Sequence, residues 1–172
     1  MKKYFNWLMV LAACVGAFYG VGLIVPRNQT LGAKAPYTAK PDQVYEVLAD
    51  LRTWPEWFPG LASVQERPER NGHPVWRVLT KDGLSFEIEV LGTEDEKSWN
   101  GTYTIDGTRT TLRFDMTWYG SGSRLRATRA ADTRDTWLRA KNFFLPSSEV
   151  EPIAILQGLG VFFGESVEAE NN

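Results

Sequence analysis

Leu84-Ser85-Phe86-Glu87-Ile88-Glu89-Val90-Leu91, Trp99-Asn100-Gly101-Thr102-Tyr103-Thr104-Ile105-Asp106 and Leu112-Arg113-Phe114-Asp115-Met116-Thr117-Trp118-Tyr119 decide the fold. Each run alternates apolar and polar side chains, the period of a strand with one face buried. Trp76 and Val78 opposite Arg77, and Leu125 and Ala127 opposite Arg124 and Arg126, extend the pattern across Ser63–Arg129. Asn71-Gly72, Asp82-Gly83, Asp106-Gly107 and Gly120-Ser121-Gly122 punctuate it at the spacing of hairpin turns. The reading is an antiparallel meander of about six strands forming one curved sheet, apolar on one face and wet on the other.

Working outward, Leu31–Ala39 has strand character, and Pro41 suits a first helical position, where its missing N–H costs nothing. Asp42 complements the helix dipole, and Val44, Val47, Leu48 and Leu51 share one helical face. Thr53–Gly60 reads as a short second helix or turn ended by Pro59-Gly60. The helical period returns after Ala131. Thr133–Leu145 carries Trp137, Leu138, Lys141 and Phe144, Pro146 interrupts, and a second segment holds Ile153, Ile155, Leu156, Leu159, Phe162 and Phe163. Gly158 and Gly160 weaken that helix unless its backbone packs closely on something. An antiparallel sheet must cover its apolar face, and the C-terminal helix is the large apolar element available. The fold class is therefore α+β, with a curved antiparallel sheet wrapped around the C-terminal helix. Two short helices follow the first strand. Such a wrap does not close tightly everywhere, so an internal cavity is expected.

Residues 5–25 run without a charge, and at ~1.5 Å per residue they match the ~30 Å hydrocarbon core of a bilayer. Three readings compete. A cleaved signal peptide usually has a shorter apolar stretch, and the Ala33-Lys34-Ala35 candidate site is followed by Pro36. Leu11-Ala12-Ala13-Cys14 is similar to a lipobox, but the chain stays apolar up to Val25. An uncleaved single-pass signal anchor fits best. Lys2, Lys3 and the terminal amine outweigh Arg27 and Lys34, which places the N-terminus in the cytoplasm and the domain outside it, periplasmic in a bacterium. Gly16 and Gly20 form a GxxxG through which two copies of the helix could pair as a homodimer. The domain plan is residues 1–4 as a basic N-terminus, 5–25 as transmembrane anchor and 26–30 as linker. A folded domain spans 31–165, and a disordered tail spans 166–172.

Composition removes several function classes. A net charge of −2 gives no support to nucleic-acid binding. One cysteine and one histidine leave no disulfide framework or His-Cys metal cluster, so no metal and no cofactor is expected. His73 sits in the Asn71-Gly72-His73-Pro74 turn with no acid or nucleophile at a useful spacing, and Gly120-Ser121-Gly122-Ser123 lacks the nucleophile elbow. The acidic residues Glu87, Glu89, Glu94, Asp95 and Glu96 read as an outward, solvated face. No catalytic residue is assigned. Residues 109–141 hold eight basic side chains, Arg129 among them, against three acids, a solubilising surface or one facing anionic lipid headgroups. The aromatic content is the unusual feature, with seven Trp, six Tyr and nine Phe able to line a cavity as well as a core.

Pro41-Asp42-Gln43-Val44-Tyr45-Glu46-Val47-Leu48-Ala49-Asp50, followed by Thr53-Trp54-Pro55-Glu56-Trp57-Phe58-Pro59, resembles the opening of the SRPBCC superfamily. That superfamily includes START-related, polyketide-cyclase-like and birch-pollen-allergen-like proteins. The order of elements extends the resemblance from about Leu31 to Gly164. It implies a helix-grip fold with a hydrophobic cavity for lipids, sterols, quinones or polyketides, in a group where only some members are enzymes. The same opening is similar to that of coenzyme-Q-binding members, which a membrane anchor would suit.

The expected ligand-binding residues are the inward strand positions Trp76, Phe86, Ile88, Trp99, Tyr103, Phe114, Met116 and Trp118, with Leu156 on the final helix. Trp57 joins them as part of the turn that lies at the cavity mouth in similar proteins. The expected function is non-catalytic binding of a hydrophobic small molecule by a domain tethered to the lipid bilayer. Two alternatives stand beside it: a cyclase- or hydrolase-like enzyme of the polyketide cyclase type, and a membrane-associated assembly module whose core is filled by its own rings.

Overall fold

The computed structural model describes residues 2–92, 97–144 and 151–171, with side chains from residue 7 onward. Helix α1 (Lys2–Ile24) precedes strand β1 (Asn28–Tyr37), helix α2 (Pro41–Ala49), a 3₁₀ turn at Leu51–Thr53 and helix α3 (Trp54–Trp57). The meander follows as β2 (Leu61–Arg70), β3 (His73–Thr80), β4 (Ser85–Gly92), β5 (Ser98–Ile105), β6 (Thr108–Tyr119) and β7 (Gly122–Thr133). Helices α4 (Thr136–Phe144) and α5 (Pro152–Phe162) and the two-residue strand β8 (Glu170–Asn171) complete the order.

All eight strands form one antiparallel sheet in the order β2-β3-β4-β5-β6-β7-β1-β8. The alternation that marks the strands in the sequence is the alternation of their burial: Leu112, Phe114 and Met116 point inward, and Arg113 and Thr117 point out. Asn71-Gly72 and Asp106-Gly107 have positive φ at both positions, which a type I′ hairpin turn requires. Register shifts at Leu61/Ser63, Arg67/Arg70 and Val90/Gly92 bend the edge half of the sheet.

Val44, Leu48 and Leu51 bury the apolar face of α2 and the following turn, at ~1.5–3 kcal/mol for each large side chain removed from water. Gln43 accepts a hydrogen bond from the Lys40 N–H at the start of α2 (3.0 Å). The helix held in the sheet is α5, which packs on β1, β7 and α3. Pro152 opens it at a first-turn position, and the Pro146 break lies outside the described residues. Tyr37 donates a hydrogen bond to the Leu156 carbonyl (2.7 Å), tying α5 to β1. A methyl on Gly158 would lie 2.1 Å from the Trp57 carbonyl oxygen, and one on Gly160 would lie 1.9 Å from Val167. Both glycines thus mark the close backbone packing that the sequence requires of them. Residues 165–171 carry no periodic signal in the sequence, yet they fold back on the domain. Glu165 accepts from the Thr38 N–H and hydroxyl, and Glu170–Asn171 pairs with Ala33–Lys34.

The eleven residues of α5 reach only ~16 Å, while eight strands at ~4.8 Å spacing span more than twice that. The first C-terminal helical segment adds little to the cover, because α4 packs mainly on α1 and touches the sheet at β7 and the cavity rim. Helix α2 packs on β5, β6 and β7 and α3 packs on β2, so the helices cover the inner face of the sheet unevenly.

Candidate functional site

The interior divides into a packed end and a hollow end. At the packed end Trp54 is completely buried, donates its indole N–H to the Leu48 carbonyl (3.1 Å) and stacks on Phe58 at 5.2 Å. Trp57, Trp99 and Phe114 surround it at 5.6, 4.9 and 6.3 Å between ring centroids. Gly101 makes room for this cluster, since a methyl there would sit 2.4 Å from the Trp99 ring.

The hollow end is a cavity of about 430 Å³, within the ~300–1,000 Å³ range of small-molecule sites. Phe86, Ile88, Tyr103, Ile105 and Leu112 form its sheet wall, and Ile155 of α5 forms the opposite side. Trp54 and Phe58 close its inner end. Its rim comes from the β3–β4 turn (Thr80, Lys81, Asp82), the β5–β6 turn (Asp106) and the end of α4 (Lys141, Asn142). Lys141 pairs with Asp106 across that rim at 3.7 Å.

A charged group also stands in the sheet wall. Arg129 lines the cavity because β7 alternates in register: Leu125, Ala127 and Arg129 share a face, and Arg129 pairs directly with Leu112. Its guanidinium lies beside the Tyr103 phenol. Burial pushes the Tyr103 phenol above its ordinary value, with Arg129 and Thr110 offsetting part of the rise. The pair sets a guanidinium beside a protonated phenol at one spot in a greasy wall. Such a pair can hold a carbonyl, phenol, carboxylate or phosphate oxygen at the end of an otherwise apolar molecule.

Of the residues expected to touch ligand, Phe86, Ile88 and Tyr103 line the cavity. Trp57, Trp99, Phe114, Met116 and Leu156 are buried in the core cluster, to which Ile88 also belongs. Trp76 packs partly against that core, with the Arg52 guanidinium 5.6 Å from its ring centre. Trp118 is 67% exposed, because β6 runs on past the helices that cover its middle. Sequence reasoning did not assign Leu112, Ile105, Ile155 or Arg129 to the site. The signal for Arg129 was its phase with Leu125 and Ala127, which outranks its charge.

A single curved antiparallel sheet gripping a C-terminal helix around a cavity defines the helix-grip class of α+β folds. The chain belongs to the polyketide cyclase / dehydrase and lipid transport family, whose model matches residues 37–135. Solved structures agree on the fold. A START superfamily protein from Mycobacterium smegmatis superposes with a TM-score of 0.57 at 14% identity, covering 77% of this chain and 95% of that one. The Zhui aromatase/cyclase from Streptomyces sp. R1128 gives 0.56 at 17% identity, covering 78% and 83%. The di-domain ARO/CYC BexL from the BE-7585A biosynthetic pathway gives 0.54 at 16% identity over 81% of this chain. This chain spans 48% of that di-domain protein's length. No curated protein matches the sequence.

Proposed function

We propose that this protein binds a hydrophobic small molecule non-covalently in the cavity walled by β4–β7, with the ligand's one oxygen-bearing end at Arg129 and Tyr103. The observation that carries this reading is the cavity itself: about 430 Å³, with a mainly apolar sheet wall that holds that pair and a polar rim at its mouth. The family description, which includes lipid transport, is consistent with it. A domain of residues 31–165 does the binding, and residues 5–25 anchor it as a single transmembrane span with the N-terminus in the cytoplasm. The described part of α1 is long and apolar enough to cross a bilayer, and its Trp7, Leu8, Leu11 and Ile24 side chains are exposed on the protein. Tethering raises the effective concentration of a cavity next to a bilayer-dissolved ligand. The Gly16–Gly20 face has nothing within 4 Å and remains open for pairing of two copies.

Native mass spectrometry of the full chain, purified in mild detergent, tests the reading. A reproducible small-molecule adduct supports it, and an empty protein from several gentle preparations overturns it. A second reading, cyclase-like catalysis, draws on Tyr103 and Arg129 and on the aromatase/cyclase neighbours. Turnover of the identified ligand that stops in Tyr103→Phe would put that reading first.

A further inference from the structure

Helix α4 is displaced from the sheet, and its surface is unusual for a helix in water. Trp137, Phe143 and Phe144 are each more than half exposed, although all three are large aromatic side chains. The helix is fixed against α1 by several independent contacts. Trp137 and Phe144 meet Phe18 at 4.4 and 5.6 Å between ring centroids. Gly22 lets the Thr136 backbone approach so closely that a methyl there would lie 2.0 Å from its carbonyl oxygen. Arg139 donates to the Gly22 carbonyl near the end of α1 (2.8 Å) and to the Thr133 and Arg134 carbonyls (3.2 and 3.0 Å). Arg27 and Asp132 brace the same joint through paired hydrogen bonds of 2.6 and 3.0 Å. The angle between α1 and the domain is thereby set.

That geometry fixes depth. Phe18 lies six residues before the end of α1 at Ile24, about 9 Å back along the helix axis at ~1.5 Å per residue. If α1 spans the bilayer, the rings packed on Phe18 are below the outer boundary of the hydrocarbon core rather than in water. Interfacial helices bury their apolar faces by ~5–10 Å, the same depth. We infer that α4 is a second membrane-contacting element, inserting Trp137, Phe143 and Phe144 into the headgroup–acyl boundary of the bilayer that α1 crosses. This rests on the tether reading of α1. Its consequence concerns the cavity: Lys141 and Asn142 of the same helix form part of the rim, so α4 holds the mouth at the membrane surface. The ligand then exchanges between cavity and bilayer without crossing bulk water.

Depth-dependent quenching on the full chain in phosphatidylcholine–phosphatidylglycerol vesicles tests this. Cys14→Ser removes the single native thiol, and Phe143→Cys, Val15→Cys or Ser121→Cys then carries a nitrobenzoxadiazole label. All three positions are exposed, so the labels do not disturb packing. Insertion of α4 predicts a blue-shifted emission at 143 that doxyl lipids quench, strong quenching at 15, and none at 121 in the β6–β7 turn. A quenched label at 15 with an unquenched, water-like label at 143 overturns the inference and leaves the tether standing. Absence of quenching at both positions overturns the tether, and the inference with it.

Discussion

Trp99 and Phe86 both point inward from neighbouring strands, and truncating each to alanine should separate the packed end from the hollow one. Trp99 is 1% exposed, touches Trp54 and Phe114 at 4.9 and 5.7 Å, and fills the recess above Gly101. An aromatic side chain buries ~150–250 Å², worth ~4–6 kcal/mol at 25 cal/mol per Å², and Trp→Ala changes in cores cost ~3–5 kcal/mol. Trp99→Ala should therefore cost about 4 kcal/mol. Phe86 is half-buried, has one ring partner in Tyr103 at 5.0 Å, and faces the cavity on its other side. Atoms bordering a void have no dispersion partners to lose there, so Phe86→Ala should cost only ~1–2 kcal/mol. With ~2–4 °C per kcal/mol for a chain of this size, the melting temperature should fall by ~8–16 °C for Trp99→Ala and ~2–8 °C for Phe86→Ala. Near-UV circular dichroism melts of ligand-stripped protein in one detergent measure both. Equal losses would mean that the cavity wall is as tightly packed as the aromatic cluster, and the division of the interior would be wrong.

Other outcomes follow from the same contacts. Arg129→Met should weaken ligand binding by tenfold or more, because the ligand's oxygen loses its guanidinium partner in the wall, and ligand titrations of the two proteins read the loss. Gly158→Ala should destabilise the domain by ~1–3 kcal/mol, since α5 must move off the Trp57 carbonyl, and urea titration measures it. Burial raises the Tyr37 phenol well above its ordinary value of 10.0, with Glu165 adding to the shift. The stability this contributes is complete below pH 10 and is lost as pH rises through the folded-state value, where the unfolded chain ionises first. Tyr37→Phe should flatten that alkaline decline and cost ~1 kcal/mol at neutral pH for the lost bond to Leu156.

The sheet was legible because its signals are local. Alternation along β4–β6 and positive-φ pairs at Asn71-Gly72 and Asp106-Gly107 each specify their own few residues. The cavity wall was only partly legible, because Trp99 and Tyr103 occupy the same face of one strand with the same apolar character. Trp99 meets a ring cluster because α3 brings Trp54 onto it, and no strand pattern encodes where that helix lands. Arg129 shows the converse case, where the phase of β7 was readable but charge suggested an outward position. Trp118 kept the right phase and still emerged into solvent, since burial needs a covering element as well as a face. The docking of α4 on α1 is a tertiary choice, and the amphipathic spacing of Trp137, Lys141 and Phe144 does not name its partner.

The hollow walled by β4–β7 is what the functional account depends on, and filling it is the most direct test. Ile105 lines the cavity and is only partly buried, so Ile105→Trp puts an indole into the void without disturbing the packed end. Native mass spectra of the wild-type chain and this variant, prepared side by side, should show a bound small molecule on the first and none on the second, with both folded. The same adduct at the same occupancy on both proteins would contradict the claim that this cavity is the binding site.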